Sequence, residues 1–124
     1  VRWAALAELK DWERALPAAQ KLVEVAPGNV SGWLHRAYAL RRVPGGGLIQ
    51  AWEALLPAAE KFPREFLIAF NLACYACQMG RLDEARRWLE RARGIEDADN
   101  INSMALADED LKPLWLEIPK PKSK

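Results

Sequence analysis

The amino-acid sequence predicts an all-α fold in which about three helix hairpins stack in series as an α-α superhelix and a closing helix follows them. One observation behind this prediction is a fixed interval of 34 residues between similar positions. The recurring pairs are Gly46 and Gly80, Leu48 and Leu82, Ala51 and Ala85, Leu55 and Leu89, and Ala58 and Ala92. A period of this size is typical of solenoids built from helix pairs. The second observation is that apolar residues follow helical spacing, with no segment that alternates as a strand does.

Turn-forming residues separate the first periodic segments. Trp3, Leu6 and Leu9 form a short apolar stripe at helical spacing. Asp11 is placed to cap a second helix that reaches about residue 25. Short connections of this kind predict that consecutive helices are antiparallel neighbours.

The next helices are bounded in the same way. Ser31 is placed to cap a helix that stops at the Pro-Gly-Gly-Gly segment 44–47. The following helices are expected over residues 48–61, 65–79 and 82–93, the last two ending at Gly80 and Gly94. Pro17 and Pro57 lie inside predicted helices, where each removes a backbone hydrogen bond and bends the helix.

A different pattern follows Gly94. Residues 95–110 carry six acidic residues and no Lys or Arg. Beyond them Leu111, Leu114, Trp115 and Ile118 fall on one helical face. We therefore predict a closing helix over about 110–118, begun by Asp110 and stopped by Pro119, that covers the apolar end of the last repeat. Residues 119–124 are predicted to be a disordered tail.

Composition bounds the class of protein. The chain has 124 residues, 51% of them hydrophobic, which predicts one domain over residues 1–118 with a packed core. The 18 basic and 17 acidic residues balance, so there is no electrostatic case for nucleic acid or an anionic membrane as partner. No apolar run approaches the roughly 20 residues of a membrane helix. Two Cys without a disulfide framework, and no visible signal peptide, predict a cytoplasmic protein.

These residues together resemble the tetratricopeptide (TPR) repeat family, in its bacterial form. The units are about 1–29, 30–65 and 66–94, and the family pattern of large, Ala, Gly, Leu and Ala positions recurs in the second and the third. The matching residues of the third unit are Leu72, Ala73, Gly80, Leu82, Ala85, Leu89 and Ala92. Those of the second unit are Trp33, Ala37, Leu40, Gly46, Leu48, Ala51, Leu55, Ala58 and Pro63. Arg36 and Ala76 depart from the pattern, where the family usually has Leu and Tyr. A competing frame at spacing 40 aligns Trp12-Glu13 with Trp52-Glu53, which leaves the correspondence of the first unit open.

The resemblance implies a right-handed TPR solenoid whose first helices line a concave groove. By motif position the groove residues that bind a peptide are Leu34, Tyr38, Arg41, Arg42, Leu67, Phe70, Asn71, Cys74 and Gln78, with Ser31 and Cys77 at the same surface. Some members clamp a peptide carboxylate with Lys, Asn and Arg, but only Asn71 resembles a member of that set, so no clamp is predicted. Core packing between units is the alternative role for Tyr38, Phe70 and Leu67.

The Cys74-Tyr75-Ala76-Cys77 motif could be a redox pair or half of a zinc site. Redox chemistry needs a thiol at a helix N-terminus, and structural zinc wants four ligands, whereas both thiols fall in the middle of a helix and His35 is the single histidine. We predict two small packing residues and no metal. His35 has no nucleophile or carboxylate at a telling interval, so no catalytic residue is predicted.

Three further motifs have structural explanations. Segment 44–47 could cradle an anion but lacks the Lys and Ser/Thr of a phosphate loop, so a flexible turn is predicted. Asp97, Asp99 and Asp108 approach calcium-loop spacing, but Ile101 takes a ligand place, and calcium is rejected. Five arginines crowd residues 81–93; salt bridges Asp83–Arg87, Arg86–Glu90 and Glu90–Arg93 are expected, with an acidic-ligand site as the alternative.

The sequence therefore predicts a protein-protein interaction module without enzymatic activity or cofactor, whose partner is a protein or peptide. The alternative is a structural or homo-oligomerisation unit that packs through its N-terminal end, since Trp3, Leu6 and Leu9 have no preceding helix to cover them. A third and remote alternative is a redox or metal-binding role of Cys74 and Cys77.

Overall fold

The structure, a computed structural model, describes residues 11–120, which form six α-helices and one 3-10 helix. They are α1 (Trp12–Val25), α2 (Val30–Arg42), α3 (Leu48–Lys61), α4 (Phe66–Gln78), α5 (Leu82–Ile95), α6 (Ala98–Leu106) and the 3-10 helix (Glu109–Glu117). No strand occurs within this range, so the all-α prediction is confirmed. The predicted apolar stripe at residues 3–9 and the tail beyond residue 120 lie outside the described residues.

The chain divides into two compact units, Val1–Phe62 and Pro63–Lys124. In the first unit α1 packs on α2 and α2 packs on α3. In the second unit α4 packs on α5 and on the 3-10 helix, and α6 contacts both α5 and the 3-10 helix. Each unit thus contains helices that pack on their neighbours in the chain, as expected of helix hairpins, and the second unit adds the contact of α4 with the 3-10 helix.

Small buried residues line the helix contacts within each unit. Ala37 and Ala51, predicted to meet where α2 crosses α3, are both fully buried. Ala73 and Ala85, predicted for the crossing of α4 with α5, are fully buried as well. A methyl side chain at these positions allows two helix backbones to approach closely. Larger side chains then fill the space beside them, among them Leu55 and Leu72.

Helix ends follow the capping chemistry of the sequence, with one shift. The Asp11 carboxylate accepts a hydrogen bond from the Arg14 backbone N–H at 3.3 Å and caps α1 as predicted. Helix α2 is capped by Asn29 rather than Ser31, since the Asn29 side chain accepts from the backbone N–H of Ser31 at 2.9 Å. Gly80, with φ +81°, ends α4 in the left-handed conformation that glycine favours.

The 44–47 segment forms the predicted turn between α2 and α3, closed by backbone hydrogen bonds. A Cβ on Gly46 would lie 2.0 Å from the carbonyl oxygen of Leu40. The backbone N–H of Gly47 donates to that same oxygen at 2.9 Å, and the N–H of Gly46 donates to the carbonyl of Val43 at 3.0 Å. These two N–H groups are used inside the turn, which removes them as donors to an anion.

The part after α4 differs most from the prediction. Helix α5 does not end at Gly94 but continues through it to Ile95. The acidic stretch contains an unpredicted helix, α6, whose N-cap Asp97 accepts from the Asn100 backbone N–H at 3.1 Å. Ile101 and Ala105, spaced for one helical face, are its fully buried residues.

The predicted closing helix is present but is a 3-10 helix capped by Asp108 rather than an α-helix begun by Asp110. Pro113 lacks the N–H that would bond the carbonyl of Asp110 in this helix. The side chain of Gln78 supplies the missing donor, with its Nε2 at 2.9 Å from the Asp110 oxygen. Leu111, Leu114 and Ile118 are buried as the helical face predicted.

Candidate functional site

The predicted binding residues of the first unit lie on α2, and two of them are well exposed. Tyr38 has 41% of its surface exposed, Arg42 is also exposed, and Leu34 and Arg41 are partly buried. The Arg42 guanidinium lies over the Tyr38 ring at 4.0 Å, and its Nη1 donates to the backbone carbonyl of Tyr38 at 2.9 Å. Tyr38 and Arg42 thereby contact each other at the surface.

Helix α1 adds a third member that was not among the predicted site residues. The Trp12 ring meets the Tyr38 ring edge-to-face, with 6.0 Å between centroids, and lies 5.0 Å from the Arg42 guanidinium. We call Trp12, Tyr38 and Arg42 the aromatic–arginine cluster. The sequence signal for Trp12 was its place at the start of α1, which pairs with the end of α2 in an antiparallel hairpin.

The predicted binding residues of the second unit lie on α4, and most of them are buried or form hydrogen bonds within the unit. Phe70 and Cys74 are buried, whereas Leu67 and Gln78 are exposed and Asn71 is intermediate. The amide of Asn71 donates to the Leu67 carbonyl of its own helix at 2.9 Å. Gln78 serves the 3-10 helix as described above. Among these positions, Leu67 keeps the most freely available side chain.

The contacts of Arg36 explain why an arginine can stand where the repeat pattern usually has leucine. Its Nη2 donates to the Ala54 carbonyl of α3 at 3.1 Å, and its guanidinium lies 4.8 Å from the centre of the Trp33 ring. The arginine therefore bridges α2 to α3 by its charged head, where leucine would do so by apolar contact alone.

The two thiols occupy different environments. The Cys74 thiol donates to Asp108 Oδ2 at 3.6 Å, and the other carboxylate oxygen of Asp108 accepts from the Asp110 backbone N–H at 2.9 Å. Burial raises the pKa of the Cys77 thiol, and the nearby Asp110 carboxylate raises it further. Cys77 is consequently protonated at neutral pH, which disfavours nucleophilic or redox chemistry.

One group of side chains could hold a metal ion. A sulfur of Cys74 and carboxylate oxygens of Asp108 and Asp110 lie within 4.8 Å of one another. Cys77 is not part of this group, so the C-x-x-C motif does not act as a ligand pair in it. The Cys74 thiol and the Asp108 carboxylate already bond each other, and Asp108 caps the 3-10 helix. Their arrangement is accounted for by that structural role.

The segment considered for calcium is helical. Asp97 caps α6, and Asp99 lies in the first turn of that helix. A calcium loop must instead wrap its ligands around the ion. The structure thus gives the two aspartates a role at a helix N-terminus, where negative charge is favoured by the helix dipole.

The arginines of α5 form a set of ion pairs that differs from the predicted one. The pair Glu90–Arg93 is confirmed at 3.1 Å. Arg86 pairs with Asp83 at 2.6 Å and with Glu117 at 2.7 Å, in place of the expected Arg86–Glu90 and Asp83–Arg87 pairs. The Arg86 hydrogen bonds hold the pKa of Glu117 below its usual range. Arg86 thus fastens the 3-10 helix to α5.

No family model matches the chain, and no curated protein has a matching sequence. Among residues 11–120 no helix has the length and apolar character to cross a membrane.

Proposed function

We propose that the chain is a non-catalytic protein-binding module, which holds a peptide or protein segment against the exposed side of α2. The aromatic–arginine cluster is the observation that carries the proposal. Tyr, Trp and Arg are the residue types that dominate binding energy at protein interfaces. In this chain all three come together, with Tyr38 and Arg42 open to solvent.

The cluster is arranged before any partner arrives. The Arg42 guanidinium contacts the Trp12 ring and the Tyr38 ring, and it donates a hydrogen bond to the Tyr38 carbonyl. Ordering a long arginine side chain on binding costs about 0.5–1.5 kcal/mol, and an already ordered side chain avoids much of that cost. Such a surface suits a segment with an aromatic or apolar anchor and a carboxylate, because the guanidinium still has donors to offer.

The thiols and the imidazole that could perform chemistry lie in environments that do not activate them. Cys77 is held protonated, Cys74 bonds Asp108, and burial lowers the pKa of His35 so that it is neutral at physiological pH. These placements favour the binding role over the redox alternative. Two buried free thiols also suit a reducing compartment, and we assign the chain to the cytoplasm as part of the same proposal.

The direct experiment is a selection from a random peptide display library on the immobilised chain. Peptides enriched on the wild type are then titrated against Tyr38→Ala and Arg42→Glu. We expect each variant to weaken binding by about tenfold or more, which is the range for an interface hot spot. Lys21→Glu, a charge reversal at an exposed position of α1, is the matched control and should bind as the wild type does.

Two results would count against the proposal. A library that yields no enriched peptide would contradict the proposal that the chain is a peptide-binding module. Enriched peptides that bind Tyr38→Ala and Arg42→Glu as tightly as the wild type would remove the aromatic–arginine cluster as the contact surface.

A further inference from the structure

Helix α5 carries a second line of side chains apart from those that face its partner helix. Its buried residues are Ala85, Leu89 and Ala92. Four other residues at spacings of three, four and seven line a shallow surface cavity of about 260 Å³, and they are Glu84, Arg87, Trp88 and Arg91. We call these four the α5 stripe. A cavity of this size has room for one large side chain, since a water molecule occupies about 30 Å³ in the liquid.

The charge of the α5 stripe is not balanced. Glu84 is paired with Arg81 at 3.8 Å. Within residues 11–120 no carboxylate forms an ion pair with Arg87, which is exposed. Arg87 and Arg91 stand one helical turn apart, and like charges at this spacing destabilise a helix. A local cost of this kind is expected where a protein meets a ligand.

Trp88 supplies the apolar part of the cavity. It is partly exposed, and the Arg91 guanidinium lies 5.2 Å from the centre of its ring. Arg87, Trp88 and Arg91 therefore border one small space. This combination offers an aromatic contact for an apolar side chain and two cations for carboxylates beside it.

We propose that the α5 stripe binds an acidic peptide segment that carries one aromatic or large aliphatic anchor. The anchor occupies the cavity against Trp88, and flanking carboxylates pair with Arg87 and Arg91. This surface lies on a different helix from the aromatic–arginine cluster, so the proposal goes beyond the proposed function and stands or fails separately from it. Charge complementarity selects the partner, because a basic segment would meet Arg87 and Arg91 with repulsion.

The test is a titration of the isotope-labelled chain, followed by NMR, with a short acetylated peptide of glutamates around a central tryptophan. The Trp88 indole N–H signal is identified by its loss in Trp88→Phe. We expect the acidic peptide to shift this signal and the backbone signals of Arg87 and Arg91. Raising the salt concentration should weaken the effect, because exposed ion pairs are screened. A peptide with lysine in place of each glutamate should leave these signals unchanged.

The peptide affinities of four variants show where the peptide binds. Arg87→Glu should weaken binding about tenfold, and Trp88→Ala about thirtyfold, which is the size expected for a central aromatic contact. Arg64→Glu, the same charge reversal at another exposed position of the second unit, should bind like the wild type. Arg42→Glu should also bind normally, which separates this surface from the aromatic–arginine cluster.

Three outcomes would overturn the proposal. The acidic peptide at millimolar concentration could leave the Trp88 signal unmoved. The lysine peptide could shift it equally, which would show that charge plays no part. Arg87→Glu and Arg64→Glu could weaken binding to the same extent, which would show a diffuse attraction by net charge rather than a site.

Discussion

His35, the single histidine of the sequence, gives the first unit a definite response to pH. It lies partly buried on α2, and burial lowers its pKa from the ordinary histidine value. In the unfolded chain the side chain is solvated and binds a proton more readily. Protonation therefore favours the unfolded state, and the stability of the fold is complete only above the unfolded pKa of about 6.5.

We expect the free energy of unfolding to fall as the pH is lowered from 7.5 to 5.5, and His35→Gln to remove most of that fall. Urea denaturation at the two pH values measures both. Glu117 responds in another window, because its pKa is lowered by Arg86, so its contribution is lost only as the pH falls through that depressed value. An equal pH dependence in wild type and His35→Gln would contradict the assignment.

A substitution of Gly46 tests whether the turn before α3 requires a residue without a side chain. A Cβ at this position would lie 2.0 Å from the Leu40 carbonyl oxygen, which real structures do not allow. Gly46→Ala should therefore destabilise the chain by about 1–3 kcal/mol, as overpacking does. Gly28→Ala is the control, since nothing lies within 4 Å of its added Cβ, and its effect should stay within about 0.5 kcal/mol. Similar denaturation midpoints for both variants would show that the turn relaxes freely.

At the residue scale, the sequence predicted the caps at Asp11 and Gly80, whereas Asn29 and Asp108 act in place of the predicted Ser31 and Asp110. Asp11 and Gly80 act at helix ends as predicted, because capping depends on neighbours within a few positions. Phe70 and Cys74 were placed at a binding surface and are buried. An apolar residue at a given repeat position suits either environment, and only the three-dimensional packing distinguishes them.

At the scale of elements, the sequence predicted α1 to α4 to within about two residues at each end, because turn signals bound these helices on both sides. Helix α6 was missed because its Asp, Asn and Ser residues resemble a loop, whereas Asp97 caps it and Ile101 and Ala105 are its fully buried apolar residues. The type of the closing helix was also missed. Its 3-10 form depends on a donor from Gln78, 32 positions away, and local sequence contains no sign of that contact.

The contact of α4 with α5 supports a prediction about helix packing. Ala73 and Ala85 are fully buried, one on each helix. A leucine at residue 73 has no space there, so Ala73→Leu should cost about 1–3 kcal/mol of stability. Chemical denaturation measures the change, and Ala98→Leu, at an exposed position of α6, should cost less than about 0.5 kcal/mol. An Ala73→Leu chain as stable as the wild type would show that these helices do not meet at their alanines.

At the scale of the whole molecule, the repeat period predicts a series of similar hairpins, whereas the observed contacts define two compact units. The period of 34 residues predicts similar hairpins along the chain, and the described residues do form helix hairpins. The contacts collect into two compact units, each with its own set of packed helices. Their arrangement as a continuous superhelix remains a prediction, since the period specifies each hairpin more directly than the angle between successive hairpins.

The oligomeric state distinguishes the binding module from the oligomerisation alternative. Apart from Tyr38, the exposed large apolar side chains among the described residues are Val25 on α1, Ile49 and Leu56 on α3, Leu67 on α4 and Leu116 in the 3-10 helix. Single exposed apolar residues are normal on a monomer, whereas a stable dimer needs a contiguous patch. We expect sedimentation velocity to give the mass of one chain at both about 10 and about 500 μM.

A mass that rises with concentration would support the alternative, in which the chain packs on a copy of itself. Substitution of Trp3 and Leu6 by serine would then show whether the N-terminal stripe is the contact, since a dimer built on it would revert to the monomer. If Tyr38→Ala reverted it instead, the aromatic–arginine cluster would be the self-association surface. The same residues would then account for both proposed roles, with a second copy of the chain as the partner.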